Sequence, residues 1–383
     1  MELSATEVAE VAELVLGPDA GPGAWHVEPI AYQSGSPATG GLARVRGDSE
    51  GRTWSVFVKL VQNPRHWPLL HLVPEVFRDE LCRTLPWRQE LAMWEEPFAA
   101  HLPDGLRVPV LYRITELDTE RLLLWMEDVD AIADRDWTLD HYRRAAVALG
   151  GLAARRSTPD ILAAAGEPGW ALRLLVGSRV MRGAAPALED DRLWAHPLVV
   201  SAVDAELRDD LRRIAEAVPA ILDRLDTLPQ TLAHGDASPQ NLLVPRGEPD
   251  TFVAIDVAFQ CPLAIGFDLG QLLVGLAHAG HVEAAALPAI HDILVPAYVE
   301  GMRAYGVDPD PDAVTCGYVG GLVARAALTS LPYETLDSPH TEQLATLWQQ
   351  RAALTRFIAD LGFDLVRSTA IPPRSCPLPV MQA

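Results

Sequence analysis

Lysine is almost missing from this chain. Lys and Arg together number 31, yet reading along the 383 residues finds a single lysine, Lys59. Cysteine is also sparse. The four are Cys82, Cys261, Cys316 and Cys376, far apart and without a CxxC pair, which excludes a zinc ribbon and a disulfide framework. Reduced thiols in a cytoplasm are the expectation. Long apolar runs are absent too. No stretch approaches about 18 uninterrupted apolar residues, and the run from Ala284 to Val295 is broken by Pro288, His291 and Asp292. The opening Met1-Glu2-Leu3-Ser4 has no basic segment followed by an apolar one, so neither a membrane span nor a secretory signal is expected. A surplus of positive charge is missing as well. The formal net charge is −21, which excludes a nucleic-acid binder that must neutralise phosphates.

What is present points to a folded, two-part protein. Hydrophobic residues make up 49% and charged residues 22% of the chain, enough apolar material for a large core divided between two lobes. The acidic balance suits solubility and equally suits a cationic small-molecule partner, because an acidic cleft draws cations in. The lone lysine marks a place where arginine would not serve: lysine is a compact point charge on a flexible stem, arginine a broad planar fork.

The pattern along the chain begins with helical spacing over residues 4–16, opened by a Ser4/Glu7 capping box. Strands are predicted at His26–Tyr32, Leu42–Arg46 and Trp54–Val61, the last carrying Lys59. Residues 62–86, with their prolines and histidines, form an insertion with room for a short helix. A helix is predicted over Arg88–Ala100, then strands at Leu111–Thr115 and Arg121–Met126. From there helices dominate: about 139–155, 203–226, 269–280, 284–305, 313–330 and 340–360. The expected fold class is α+β, with a β-rich first lobe (1–126), a mainly helical second lobe (127–368) and a proline-rich tail (369–383).

The informative stretch is Leu232-Ala-His234-Gly-Asp236-Ala-Ser-Pro-Gln-Asn241-Leu-Leu-Val244, followed by Phe252-Val-Ala-Ile-Asp256. Its apolar runs read as two short strands joined by the turn Pro245–Asp250. Asp236 and Asn241 then share one loop, and Asp256 ends the neighbouring strand. Three oxygen-bearing side chains can face one point. Phosphoryl transfer needs such a set: a carboxylate to orient a hydroxyl and accept its proton, and oxygen donors for magnesium. Asp236 and Asn241 are also ordinary turn residues, and it is their order with Lys59 and Asp256 that favours chemistry.

The H-G-D-x-x-x-x-N stretch with the following I-D resembles the aminoglycoside phosphotransferase and choline kinase branch of the protein-kinase-like superfamily. The run Gly266-Phe-Asp268-Leu269 is similar to that branch's G-x-x-x-D-L, with a shorter gap. The resemblance implies a bilobal protein-kinase-like fold and a small-molecule kinase. By position it implies Asp236 as the catalytic carboxylate, Asn241 and Asp256 as magnesium ligands, and His234 and Asp268 as braces of the catalytic loop. It also implies that Lys59 contacts nucleotide phosphates and that Glu90 pairs with it, with Glu95 and Glu96 as rivals. Ser34, Gly35 and Ser36 stand where a phosphate-covering loop would be, without a G-x-G-x-x-G. Met126, Glu127 and Asp128 stand where the adenine-binding hinge would be. No aspartate–phenylalanine–glycine follows Asp256 and no alanine–proline–glutamate marks an activation segment, which argues against a protein kinase. The implied cofactors are ATP (or GTP) and Mg2+. The implied partner is a small-molecule hydroxyl acceptor, first an aminoglycoside-type antibiotic, otherwise a sugar, aminosugar or choline-like alcohol. A catalytically silent kinase-like protein that binds a nucleotide or a partner is the reading from another class.

Overall fold

The computed structural model describes residues 3–31, 35–95 and 98–369. Ser34 and the tail after residue 369 lie outside the described residues, and so does Glu96. Two compact units result: Met1–Asp136 with His234–Gln260, and Trp137–Ala233 with Cys261–Ala383. These units are defined by packing. The lobe boundary proposed at residue 127 follows the change from strand to helix, so the two divisions answer different questions.

The first unit opens with α1 (Ala5–Leu16). The Ser4 hydroxyl accepts from the Thr6 N–H at 3.2 Å, and Glu7 reaches back to the Ser4 N–H at 3.3 Å, closing the expected capping box. Val8, Val11 and Ala12 recur at helical spacing and are buried. Five antiparallel strands follow: β1 (Ala24–Ile30), β2 (Thr39–Ser49), β3 (Arg52–Gln62), β5 (Leu111–Glu116) and β6 (Arg121–Glu127), with the short β4 (Leu106–Arg107) between β3 and β5. Their order across the sheet is β1-β2-β3-β6-β5. Strand side chains alternate between faces. On one face Val45, Val56, Val58, Leu123 and Trp125 pack with the apolar stripe of α1. On the other, Phe57 and Val61 pack with Leu122, Leu124 and Met126. Lys59 falls on that second face, paired in register with Leu42 and Leu124.

The helix expected over Arg88–Ala100 is not there. The structure has a 3₁₀ segment at Gln89–Met93 and another at Ala99–His101. Pro97 in the sequence supplies no N–H, and tertiary packing decides the rest: Met93, Phe98 and Val257 bury together, with Trp94, Leu102 and Val108 against them. The insertion does contain a short helix, α2 (Glu75–Thr84).

The second unit is mainly helical, as expected. Its long helices are α3 (Leu139–Arg155), α4 (Ala205–Asp226), α5 (Asp268–His278), α6 (Leu287–Ala304), α7 (Pro311–Ala326) and α8 (Glu342–Thr369). α3 and α6 cross closely. A Cβ on Gly150 would lie 2.0 Å from the Tyr298 carbonyl oxygen, and one on Gly301 2.0 Å from that of Val147. One element was not foreseen, a wide π-helical stretch at Val176–Ala184. Ser178 donates back to the carbonyls of Leu174 and Leu175 at 2.6 and 3.3 Å, a local competition that loosens ordinary helical pairing.

Candidate active site

The site residues of the first unit come together through short-range backbone bonding. Strand Gln230–Ala233 ends where the loop His234–Asn241 begins. Gly235 has φ +86°, and a Cβ there would sit 2.3 Å from the Phe259 carbonyl oxygen. Only glycine accepts both the left-handed backbone and the contact. His234 Nδ1 accepts from the Asp236 N–H at 3.3 Å, and the Asp236 carbonyl accepts from Ser238 N–H at 2.8 Å. Pro239–Asn241 makes a 3₁₀ turn closed by Asn241 N–H donating to the Ser238 carbonyl at 2.9 Å. The Asn241 amide then donates to the Asp236 carbonyl at 2.8 Å and to Asp236 Oδ2 at 3.3 Å. Asp236 and Asn241 are thus locked as a pair by the loop's own bonds.

Asp256 arrives on the neighbouring strand. Leu242–Leu243 pairs with Phe252–Ala254 in antiparallel register, and Ile255 N–H donates to the Asn241 carbonyl at 3.0 Å. Asp256 itself has φ +58°, a left-handed conformation uncommon outside glycine and tolerated best by Asn and Asp. Val257, immediately after it, belongs to the apolar cluster that holds Met93. That cluster brings the Glu90 segment beside Asp256. Gln89 Nε2 adds a bond to the Gln260 carbonyl at 3.4 Å.

Lys59 meets both acids. Its Nζ lies 2.6 Å from Glu90 Oε2 and 3.3 Å from Asp256 Oδ1. The Lys59 and Glu90 side chains are 8% and 6% exposed, whereas Asp256 is 45% exposed. Burial works against the ammonium, but Asp256 and then Glu90 outweigh it and hold Lys59 protonated beyond the usual lysine range. Between Glu90 and Glu95, the two rivals among the described residues, Glu90 is the one that meets Lys59.

Asn241 and Asp256 are the side chains that could hold a magnesium ion. Asn241 spends its amide nitrogen on Asp236, which leaves its amide oxygen facing elsewhere, and Asp256 supplies an accessible carboxylate. Among the described residues no three His, Cys, Asp or Glu side chains gather into a protein-only metal cluster. Magnesium is commonly held by one or two protein oxygens together with substrate phosphates.

Other expected residues are placed as follows. Gly35 and Ser36 lie between β1 and β2. There the Ser36 hydroxyl accepts from Ala38 N–H at 3.3 Å. Met126 and Glu127 end β6. Glu127 is gripped by Arg107 and Asp128 by Arg44 Nε at 2.8 Å, with the Ser55 hydroxyl on its other oxygen. Asp268 belongs to the second unit, buried in the first turn of α5. Arg44, Ser55 and Arg107 were missed in the sequence. Their partners lie 84, 73 and 20 positions away, and no local spacing rule spans such separations.

No family model matches the sequence, and no curated protein does. Solved structures do match. One is the microcompartment-associated aminopropanol kinase, 16% identical, with 90% of this chain and 93% of that chain covered and a TM-score of 0.52. Another is spectinomycin phosphotransferase in complex with ADP and spectinomycin, 14% identical, covering 96% of this chain and all of that chain, with a TM-score of 0.53. This chain has the protein-kinase-like fold. At such identities the likeness establishes the fold, and the chemistry rests on the residues above.

Proposed function

We propose that this chain is a small-molecule kinase that moves the γ-phosphate of ATP (or GTP) to an acceptor hydroxyl. The observation that carries it is a buried Lys59–Glu90 pair 2.6 Å apart, sharing one compact unit with Asp256 at 3.3 Å and with the bonded pair Asp236–Asn241. Asp236 orients the acceptor hydroxyl and receives its proton. His234 holds the Asp236 backbone. Lys59, positioned by Glu90, contacts the nucleotide phosphates. Asn241 and Asp256 would hold magnesium, which when bound offsets the phosphate charge. Both side chains of Glu127 and Asp128 are committed to arginines, so a base at this edge is met by backbone.

An aminoglycoside-type or related antibiotic is the favoured acceptor class. The net charge of −21 supports a cationic acceptor, and one structure with this fold holds ADP and spectinomycin. A sugar, aminosugar or choline-like alcohol is the other class. Work in the cytoplasm is part of the same reading; among the described residues no helix is long and apolar enough to cross a membrane.

The test is magnesium-dependent ADP release across a panel of antibiotic, sugar and amino-alcohol acceptors, with Asp236→Ala alongside. Turnover on some acceptor, reduced about 10²–10⁴-fold in the variant, is expected. Nucleotide binding without turnover on any acceptor would favour the catalytically silent reading instead.

A further inference from the structure

Arg107 lies outside every motif, yet it joins the two parts of the candidate nucleotide site. Its guanidinium grips Glu127 with both forks, Nη1 to Oε2 at 2.7 Å and Nη2 to Oε1 at 2.9 Å. The same Nη2 reaches Glu248 Oε1 at 3.1 Å, and Nε reaches Glu248 Oε2 at 3.4 Å. Glu127 ends β6, at the Met126–Asp128 edge. Glu248 lies on the turn between Leu242–Leu243 and Phe252–Ala254, the hairpin whose two ends present Asn241 and Asp256.

The backbone repeats this link. β4 runs parallel to Phe252–Ala254, with Leu106 opposite Phe252 and Arg107 opposite Val253, and Phe252 N–H donates to the Gly105 carbonyl at 2.8 Å. On the far side of the turn, Arg246 N–H donates to Asp130 O at 2.8 Å and Ile132 N–H to Val244 O at 2.9 Å. Arg107 Nη1 also donates to its neighbour's carbonyl on Val108 at 3.4 Å, and Val110 N–H caps Glu127 Oε2 at 3.1 Å. The Arg107 side chain is 30% exposed, Glu127 22% and Glu248 51%, so the fork is half-buried on Glu127 and open to solvent on Glu248, a bidentate geometry an ammonium cannot reproduce.

We propose that Arg107 is a positioning residue for the nucleotide and its metal: it fixes the spacing between the Glu127–Asp128 edge and the hairpin carrying Asn241 and Asp256. A bound nucleotide must touch the edge with its base and the metal ligands with its phosphates. Those groups have to be held apart at a set distance, and Arg107 is a side chain that bridges the elements bearing them, with the Arg246–Asp130 ion pair at 3.3 Å beside it. The proposal rests on the kinase reading above.

The test compares wild type with Arg107→Ala, Arg107→Lys and Glu248→Ala, using a fluorescent ATP analogue with magnesium titration, alongside thermal melting. Expected are a rise of about tenfold in nucleotide Kd and in the magnesium needed for half-saturation in Arg107→Ala. Glu248→Ala should move both the same way by less, and Arg107→Lys should restore little. Acceptor KM should stay near wild type. A lowered melting temperature with nucleotide and magnesium binding unchanged would overturn the assignment and leave a structural clamp. Should Arg107→Ala fail to fold, unaltered binding in both Glu248→Ala and Arg107→Lys would overturn it equally. A wild type that binds no nucleotide would overturn the kinase reading, and this proposal with it.

Discussion

Asp256 occupies a backbone conformation that glycine would adopt more cheaply, with φ +58°. A carboxylate held there against that preference, 3.3 Å from the chain's single lysine, is what a strained functional position looks like. Asp256→Gly separates the two roles. It relieves the backbone but removes the larger of the two charges that support buried Lys59, so chemical denaturation should find stability within about 1 kcal/mol of wild type. Turnover should fall at least a hundredfold and the magnesium requirement should rise, as an initial-rate titration with magnesium would measure. Lys59 gives a second residue-level expectation. Its side chain is 8% exposed and its Nζ sits against two carboxylates, a setting that suits a point charge and not a planar fork. Lys59→Arg should weaken nucleotide binding about tenfold or more in calorimetric titration. Unchanged affinity would mean that the lone lysine does not mark a place where arginine fails.

At the scale of elements, backbone bonding inside short segments builds the site, and packing between segments brings the parts together. The loop His234–Asn241 and the hairpin after it are joined by the Ile255–Asn241 bond. Their geometry was legible because turn residues and short apolar runs announce themselves. The segment bearing Glu90 was harder to read. A helix was expected over Arg88–Ala100, but Met93 and Phe98 pack with Val257 and the described residues form isolated 3₁₀ turns. In the second unit, the contact of α3 with α6 is set by the absence of side chains at Gly150 and Gly301. Gly150→Ala places a Cβ against a carbonyl oxygen in a close-packed crossing. We expect it to destabilise the protein by about 1–3 kcal/mol, read as a lowered urea midpoint.

For the whole molecule, a charge of −21 creates a field that acts beyond any single contact. If the acceptor is cationic, kcat/KM for it should fall several-fold as salt rises from about 20 to 300 mM, because added ions screen long-range attraction. A neutral sugar acceptor should show little change in the same assay. The sequence by itself determined the β-rich beginning, the helical remainder, and the loop and strand that hold Asp236, Asn241 and Asp256, since each follows from residue types a few positions apart. It also singled out Lys59 by scarcity. Only the tertiary structure decided that Glu90 rather than Glu95 meets that lysine, that Arg44 and Arg107 occupy the acids at the end of β6, and that glycine lets two helices cross. Those choices depend on groups distant in sequence sharing one volume, and no local pattern encodes which of several similar side chains will fill it.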